Sequence, residues 1–193
     1  MIVLSKDCFV FESTGKTCNV EPFDPEVGTT QGVHIVDTVI AYDYPSTYDT
    51  YILIIRNALY IETMQYNLIP LFIMREGGLI VNDIPKMHCD DPCIEDHCIL
   101  FKDIDLRIPL QLNGIFSYFN SRKPLPSELY DKDKVFITPD ASAWNHHCIS
   151  YTQNELAMIN HEGNILTNSI HVKIPMQKSN DLDEIFEQIM KLL

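Results

Sequence analysis

Val33-His34-Ile35-Val36-Asp37-Thr38-Val39-Ile40-Ala41-Tyr42 and, beyond a seven-residue gap, Thr50-Tyr51-Ile52-Leu53-Ile54-Ile55-Arg56 decide the fold class. Both runs are dense in β-branched and aromatic side chains, which pack well on a pleated surface, and both are too short for typical helices. They read as paired strands. Asp43-Tyr44-Pro45-Ser46-Thr47-Tyr48-Asp49 between them supplies turn formers, with Pro45 presetting φ at the corner, so a long hairpin is expected.

Outward from this hairpin, Asn57-Ala58-Leu59-Tyr60-Ile61 reads as another short strand. Leu68 to Glu76 reads as a two-turn helix, because Pro70 fits a first helical turn and Gly77-Gly78 fits the position just past an end. Leu79 to Val81 resumes extended structure. Arg107 to Leu112 and Ile115 to Phe119 flank Asn113-Gly114, the pair that suits a type I′ turn, so a second hairpin is expected there. Pro109 places its strand at an edge, or at least leaves that N–H side unpaired.

Ser121 to Asp140 is rich in Pro and charge, with a short helix expected at Ser127 to Tyr130 and a strand at Val135 to Thr138. Beyond it, Thr152 to Asn160 reads as helix, His161 to Asn164 as turn and Ile165 to Ile174 as strand. Ser179 to Leu193 reads as an amphipathic helix with Ser179 or Asn180 as cap, acids in its first turn, and Leu182, Ile185, Ile189 and Leu192 on one face. The expected organisation is a β domain over 1–125, a linker over 126–145 and a helix-strand-helix extension over 146–193. There is no internal repeat or low-complexity tract.

The chain has 193 residues, 14 basic against 27 acidic, and a net charge of −13. A nucleic-acid binder draws its affinity from clustered Lys and Arg, and here Arg122-Lys123 is the one adjacent basic pair. With 46% apolar residues the chain has enough material for a core, burying roughly 70% of its unfolded surface at this length. No apolar run approaches the ~18 residues of a membrane span, and the first residues lack the pattern of a secretory signal. Six cysteines without an export signal read as reduced thiols, which makes a soluble, cytoplasmic protein the expectation.

Motifs for chemistry are few. Thr14-Gly15-Lys16-Thr17 imitates the end of a phosphate-binding loop, but Val10 stands where the first glycine belongs, so it reads as a turn. His88, Cys89, Cys93, His97 and Cys98 form the densest group of soft ligands. Zinc sites usually pair cysteines two to four residues apart with a second pair well downstream, whereas these five lie in one short segment. His146-His147-Cys148 is a weaker version. No G-x-S-x-G elbow or cysteine signature nominates a nucleophile. Aspartic proteases use two Asp that share one proton, each in a D-[ST]-G turn. Asp37-Thr38-Val39 and Asp49-Thr50-Tyr51 begin that pattern and lack the glycine, so Asp37 reads as an outward-facing strand residue.

Asn57-Ala58-Leu59-Tyr60-Ile61, followed after five residues by Asn67-Leu68-Ile69-Pro70, resembles the stretch written roughly L-Y-x-P-x-x-x-x-N-L-L-S that closes the retropepsin-like protease region of copia-type retrotransposon polyproteins. Ala41 to Pro45, Tyr51 to Ile55, Asp105 to Phe119 with Arg122-Lys123-Pro124, and Trp144-Asn145-x-His147 extend the resemblance over Val3 to Asn164. It implies a mainly β fold, a partial retropepsin-like β-barrel with short helices, to which the C-terminal amphipathic helix is added. The hairpin tip would correspond to the flap over a peptide substrate, making Tyr44, Pro45 and Tyr48 candidate peptide contacts. Retropepsins are homodimers, so a homodimer and a peptide segment are the implied partners. The family's D-S-G-A-D turn would directly precede a segment like Val3 to Val10, and nothing in the sequence given matches it. The first barrel strand and catalytic loop are therefore expected to be missing, leaving no catalytic residue, metal or cofactor and at most peptide binding or dimerisation. Two alternatives stand beside this: an active polyprotein-processing aspartic endopeptidase with a mis-assigned N-terminus, and a metal-stabilised interaction module at 88–98.

Overall fold

The computed structural model describes residues 2–21, 26, 28–140, 187 and 189–191. At its centre β3 (Thr30–Asp43) and β4 (Thr50–Tyr60) run antiparallel, in register from Asp43↔Thr50 to Ile35↔Leu59. Ile52, Leu53, Ile54 and Ile55 are all fully buried, so β4 is covered on both faces. That explains a continuous apolar run where a half-exposed strand would alternate. β2 (Phe9–Val20) pairs with the other edge of β3. Thr14-Gly15-Lys16 forms a bulge in this edge strand, with Gly15 at φ 70°, and opens no helix as a phosphate loop must.

Asn57 to Tyr60 continues β4 instead of forming a separate strand, and a bulge at Asn57 accounts for the difference. Between Thr38↔Ile55 and Val36↔Ala58, the single residue Asp37 faces both Arg56 and Asn57, and Asn57 takes the left-handed conformation at φ 55°. The extra residue changes which N–H groups point to the outer edge. Before it, Ile52 N–H donates to the Asp133 carbonyl (2.8 Å) and Arg56 N–H to Thr138 Oγ1 (3.0 Å). After it, Leu59 and Ile61 donate to the Ile2 and Leu4 carbonyls at 3.0 and 2.9 Å. One edge of β4 thus holds two parallel strands in tandem, β10 (Lys134–Phe136) and β1 (Val3–Leu4).

Against one face of this five-stranded sheet packs a three-stranded antiparallel layer, β5 (Ile80–Asp83), β6 (His97–Phe101) and β7 (Leu106–Pro109), together with α1 (Leu71–Glu76). Ile40, Leu53 and Ile55 meet Ile73, Met74, Ile99, Phe101 and Ile108 in this main core. Pro70 precedes α1 and Gly77 ends it, and β7 is an edge strand, which leaves the Pro109 nitrogen without a ladder bond to make. The strand expected over 107–112 breaks at Leu110, which turns into the core and donates its N–H to the His97 carbonyl at 2.9 Å. Past Leu110 the chain forms a separate hairpin, β8 (Gln111–Asn113) with β9 (Phe116–Tyr118). Its turn differs from the expected Asn113-Gly114 centre: Asn113 pairs with Phe116, so Gly114-Ile115 is the loop, with positive φ (62°) at the glycine alone. A Gly-first turn needs the left-handed residue at its first position, and Asn113 stays in the ladder.

The opposite face carries a second cluster, in which Phe11, Val39, Ala41, Ile52 and Ile54 are joined by Leu129 of α2 (Glu128–Asp131) and by Ile189. The 126–145 segment expected as a linker is therefore built into the sheet over its described part, since β10 pairs with β4 and Leu129, Ile137 and Thr138 are fully buried. Its Pro and charge content masked two apolar anchors, Leu129 and Ile137, and the buried Thr138. Of the expected C-terminal helix, Glu187 and Ile189 to Lys191 are helical and Ile189 is buried; the other elements expected beyond Asp140, with Trp144 and His146 to Cys148, lie outside the described residues. The described residues form open sheets of five, three and two strands, a mainly β fold. Among them no helix is long and apolar enough to cross a membrane.

The end of α1 presses on the segment that follows β10. A Cβ on Gly77 would lie 2.9 Å from the Thr138 carbonyl carbon and 3.1 Å from the Pro139 nitrogen, both backbone atoms. Gly77→Ala is expected to destabilise the chain by about 1–3 kcal/mol through overpacking, read as a lower urea midpoint with unchanged slope.

Candidate functional site

The tip of the β3–β4 hairpin, Tyr44 to Asp49, is closed by its own backbone. Tyr44 N–H donates to the Asp49 carbonyl (2.8 Å) and Tyr48 N–H to the Tyr44 carbonyl (2.9 Å), and Tyr48 sits at φ 61°. A left-handed tyrosine carries strain that the turn must hold. The three candidate peptide contacts divide here. Tyr44 is half-buried, edge-on to Tyr42 at 6.3 Å and packed against the main core, so it anchors the tip. Pro45 is exposed, and Tyr48 presents 84% of its surface to solvent.

Beside the tip lies a shallow open depression of about 310 Å³ lined by Asp49, Thr50, Tyr51, Asp131, Lys132 and Asp133. Three carboxylates against one ammonium give it an acidic lining. Burial, and then Asp49 and Asp133, push the Tyr51 hydroxyl above its ordinary pKa, which keeps it a hydrogen-bond donor.

A clamp that sequence reading missed holds the base of the hairpin. Arg122 donates from Nε and Nη2 to the two oxygens of Asp43 (2.7 and 2.8 Å), and from Nη1 and Nη2 to those of Glu128 (2.8 and 2.6 Å). Thr50 Oγ1 donates to Asp43 Oδ1 at 2.8 Å, and Arg122 exchanges backbone bonds with Ala41. One planar guanidinium thus joins β3 to α2 by two bidentate pairs, the geometry in which ion pairs are strongest. The signal available in the sequence was Arg122 itself, in the one adjacent basic pair of an acidic chain, but its partners are 79 and 6 residues away.

Asp37 is not the outward-facing residue expected. It is 4% exposed, because it alternates onto the same face of β3 as Val39 and Ala41, and that face is covered. Its Oδ1 accepts the Asn57 N–H at 2.8 Å, its Oδ2 lies 3.6 Å from Arg56 Nη1, and the Arg56 guanidinium stacks 5.6 Å from the Phe136 ring centre. Burial raises the Asp37 pKa, and the Asn57 amide and Arg56 oppose it. This carboxylate is tied to a guanidinium and a backbone amide, which differs from two acids sharing one proton across a cleft.

The soft-ligand segment is dispersed. His97 Nε2 and Ser117 Oγ are hydrogen-bonded at 2.8 Å, Cys98 Sγ faces the Glu95 carbonyl at 3.5 Å, Cys89 Sγ faces the Pro85 carbonyl at 3.8 Å, and His88 and Cys93 are exposed. Among the described residues no three His, Cys, Asp or Glu side chains group to hold a metal ion. Burial, then Glu95, raises the Cys98 pKa; desolvation, then Asp96, raises that of Cys89. Both favour the thiol over the thiolate that metal binding or nucleophilic attack requires.

Compared with known family models, curated proteins and solved structures, the chain matches none.

Two outcomes are expected. Arg56→Ala strands the buried Asp37 carboxylate without its cation and should cost about 3–5 kcal/mol, measured by urea unfolding at neutral pH. Arg122 holds the Asp43 and Glu128 carboxyls below their ordinary values of 3.8 and 4.5. The folded state then binds fewer protons than the unfolded chain in that range, so the clamp contributes fully above those values and its contribution is lost as pH falls below them. Thermal midpoints from pH 6 down to about pH 3 should therefore drop less steeply for Arg122→Gln than for the parent chain.

Proposed function

We propose that this chain is a retropepsin-like segment of a copia-type polyprotein that holds extended peptide at the β3–β4 hairpin without cleaving it. The observation that carries the reading is the hairpin itself, clamped at its base by Arg122 and offering Pro45 and Tyr48 beside an open depression. A rigid hairpin with an exposed aromatic tip offers a peptide large contact area at little conformational cost. Hydrolysis is left out because the sequence given holds no D-[ST]-G turn and Asp37 is occupied by Arg56 and Asn57.

The carboxylates of the depression favour a peptide carrying Lys or Arg. Fluorescence anisotropy with a labelled ten-residue extended peptide of alternating apolar and Lys residues, alongside its Glu counterpart, tests this. Binding of the Lys peptide in the range of tens of micromolar is expected, with Tyr48→Ala weakening it about tenfold, or 1.4 kcal/mol. Mass spectrometry of the same mixture near pH 5 should show the peptide intact, and a cut peptide would restore the protease reading. Equal binding by the Tyr48→Ala chain would remove the tip from the site.

A further inference from the structure

Asn113-Gly114 is the only Asn-Gly step in the chain, and every other asparagine is followed by a residue that carries a side chain. The structure puts this step at the tip of the β8–β9 hairpin, whose two strands are exposed throughout. Gly114 takes the first loop position at φ 62°, and a Cβ built on it would find nothing within 4 Å. Neither the Asn113 carboxamide nor the Gly114 N–H is held by a hydrogen bond to another described residue. The carboxamides of Asn19, Asn67 and Asn82 are engaged: the first two accept from the Gly32 and Ser5 N–H groups, and the third donates to the Glu95 carbonyl. An asparagine carboxamide lies one five-membered ring closure from the next main-chain nitrogen, and glycine, lacking a Cβ, leaves that nitrogen unshielded.

From these observations we infer that Asn113 is a site of spontaneous deamidation, and that its conversion unfastens the tip of the β8–β9 hairpin. The Gly114 nitrogen bonds to Asn113 Cγ and gives up its proton, the Cγ–Nδ2 bond breaks, and ammonia leaves with that proton. Water then opens the cyclic imide at one of its two carbonyls. Opening at Cγ leaves an aspartate on the original main chain, and opening at the main-chain carbonyl leaves an isoaspartyl link with one more methylene in the backbone. Water is the sole co-reactant. Ring closure needs Asn113 to leave its extended ladder conformation, and the hairpin permits this, since only the pairs Gln111↔Tyr118, Leu112↔Ser117 and Asn113↔Phe116 hold its strands together. A two-stranded hairpin is marginal in water, and such elements open locally at little cost. The base stays fixed by Leu110 in the main core, by Phe119 edge-on to Tyr42 at 5.8 Å, and by Ser117 Oγ at 2.8 Å from His97 Nε2. The lengthened backbone of the isoaspartyl product cannot restore the Asn113↔Phe116 pair. Either product also places a negative charge in a stretch, between Arg107 and Arg122, that holds no Asp, Glu, Lys or Arg.

Incubation of the chain in warm, mildly alkaline buffer, followed by tandem mass spectrometry of the tryptic fragment 108–122, tests the site. Asn113 should lose its amide ahead of Asn120, which shares that fragment and precedes Ser121. The native chain should convert within about 100-fold of the rate of the urea-unfolded chain, because fraying of the hairpin costs far less than global unfolding. Asn113→Gln, whose longer side chain closes a ring less readily, should stop the change at that position. The aged chain should be cut by chymotrypsin after Phe116 or Tyr118 roughly threefold faster or more than the fresh chain, with the thermal midpoint unchanged. Asn113→Asp, which gains the charge without the methylene, should be cut like the fresh chain. An Asn113 that stays intact while Asn120 converts, a native rate slower than that limit, or an aged chain cut no faster than the fresh one would overturn the inference.

Discussion

The structure rests on the burial of one strand from both sides. Ile52, Leu53, Ile54 and Ile55 leave β4 no solvent face, so the five-stranded sheet has to be covered twice. On one side the cover is α1 with the β5–β7 layer, and on the other it is Leu129 and Ile189. Each such isoleucine or leucine contributes about 1.5–3 kcal/mol when fully buried, so neither layer is dispensable to a domain whose net stability is of order 10 kcal/mol. The hairpin tip is held where it is because its two strands are gripped this way down to Asp43 and Thr50.

The bulge at Asn57 reconciles that burial with the demands of the backbone. A regular ladder would carry one set of outward N–H groups along the whole edge of β4, but β10 and β1 arrive there at different phases. One inserted residue resets the phase, and Asp37 satisfies the amide of that residue. A buried acid is costly on its own account, and Arg56 partly offsets it. Asp37, one of the two aspartates that begin the D-[ST] pattern, is therefore explained by architecture.

How much of this was legible in the sequence depends on the range over which each signal acts. The strands of the hairpin, the end of α1 at Gly77 and the edge position of Pro109 were readable, since composition and single-residue backbone chemistry are local, whereas the helix expected from Leu68 begins at Leu71, because Pro70 is extended and Leu68 bridges to Val3. The Gly114-Ile115 turn was missed by one position because Asn-Gly and Gly-X turns share the same glycine. Asp37 was misplaced because a polar residue in an apolar strand looks solvent-facing when the groups that cover its face, Leu129 and Ile189 among them, lie far away in sequence. The 126–145 segment looked like a linker for a similar reason: its many charges hid Leu129, Ile137 and Thr138, whose partners lie far back in the chain. At the candidate site, Pro45 and Tyr48 were legible as tip residues, while the inward turn of Tyr44 and the Arg122 clamp depended on tertiary neighbours.

The tandem arrangement on the outer edge of β4 also sets an order of events for a chain being made. Thr138 bonds to a residue 82 positions earlier, and β10 pairs across a similar interval. Pairings so distant in sequence pay their loop-closure entropy before they return any contact energy, which slows folding. During synthesis at roughly 5–20 residues per second, the β3–β4 hairpin leaves the ribosome several seconds ahead of the strand that seals its edge. Throughout that interval an isoleucine-rich strand stands with half of its hydrogen-bonding groups unclaimed, an edge open to pairing with another chain until residue 138 emerges.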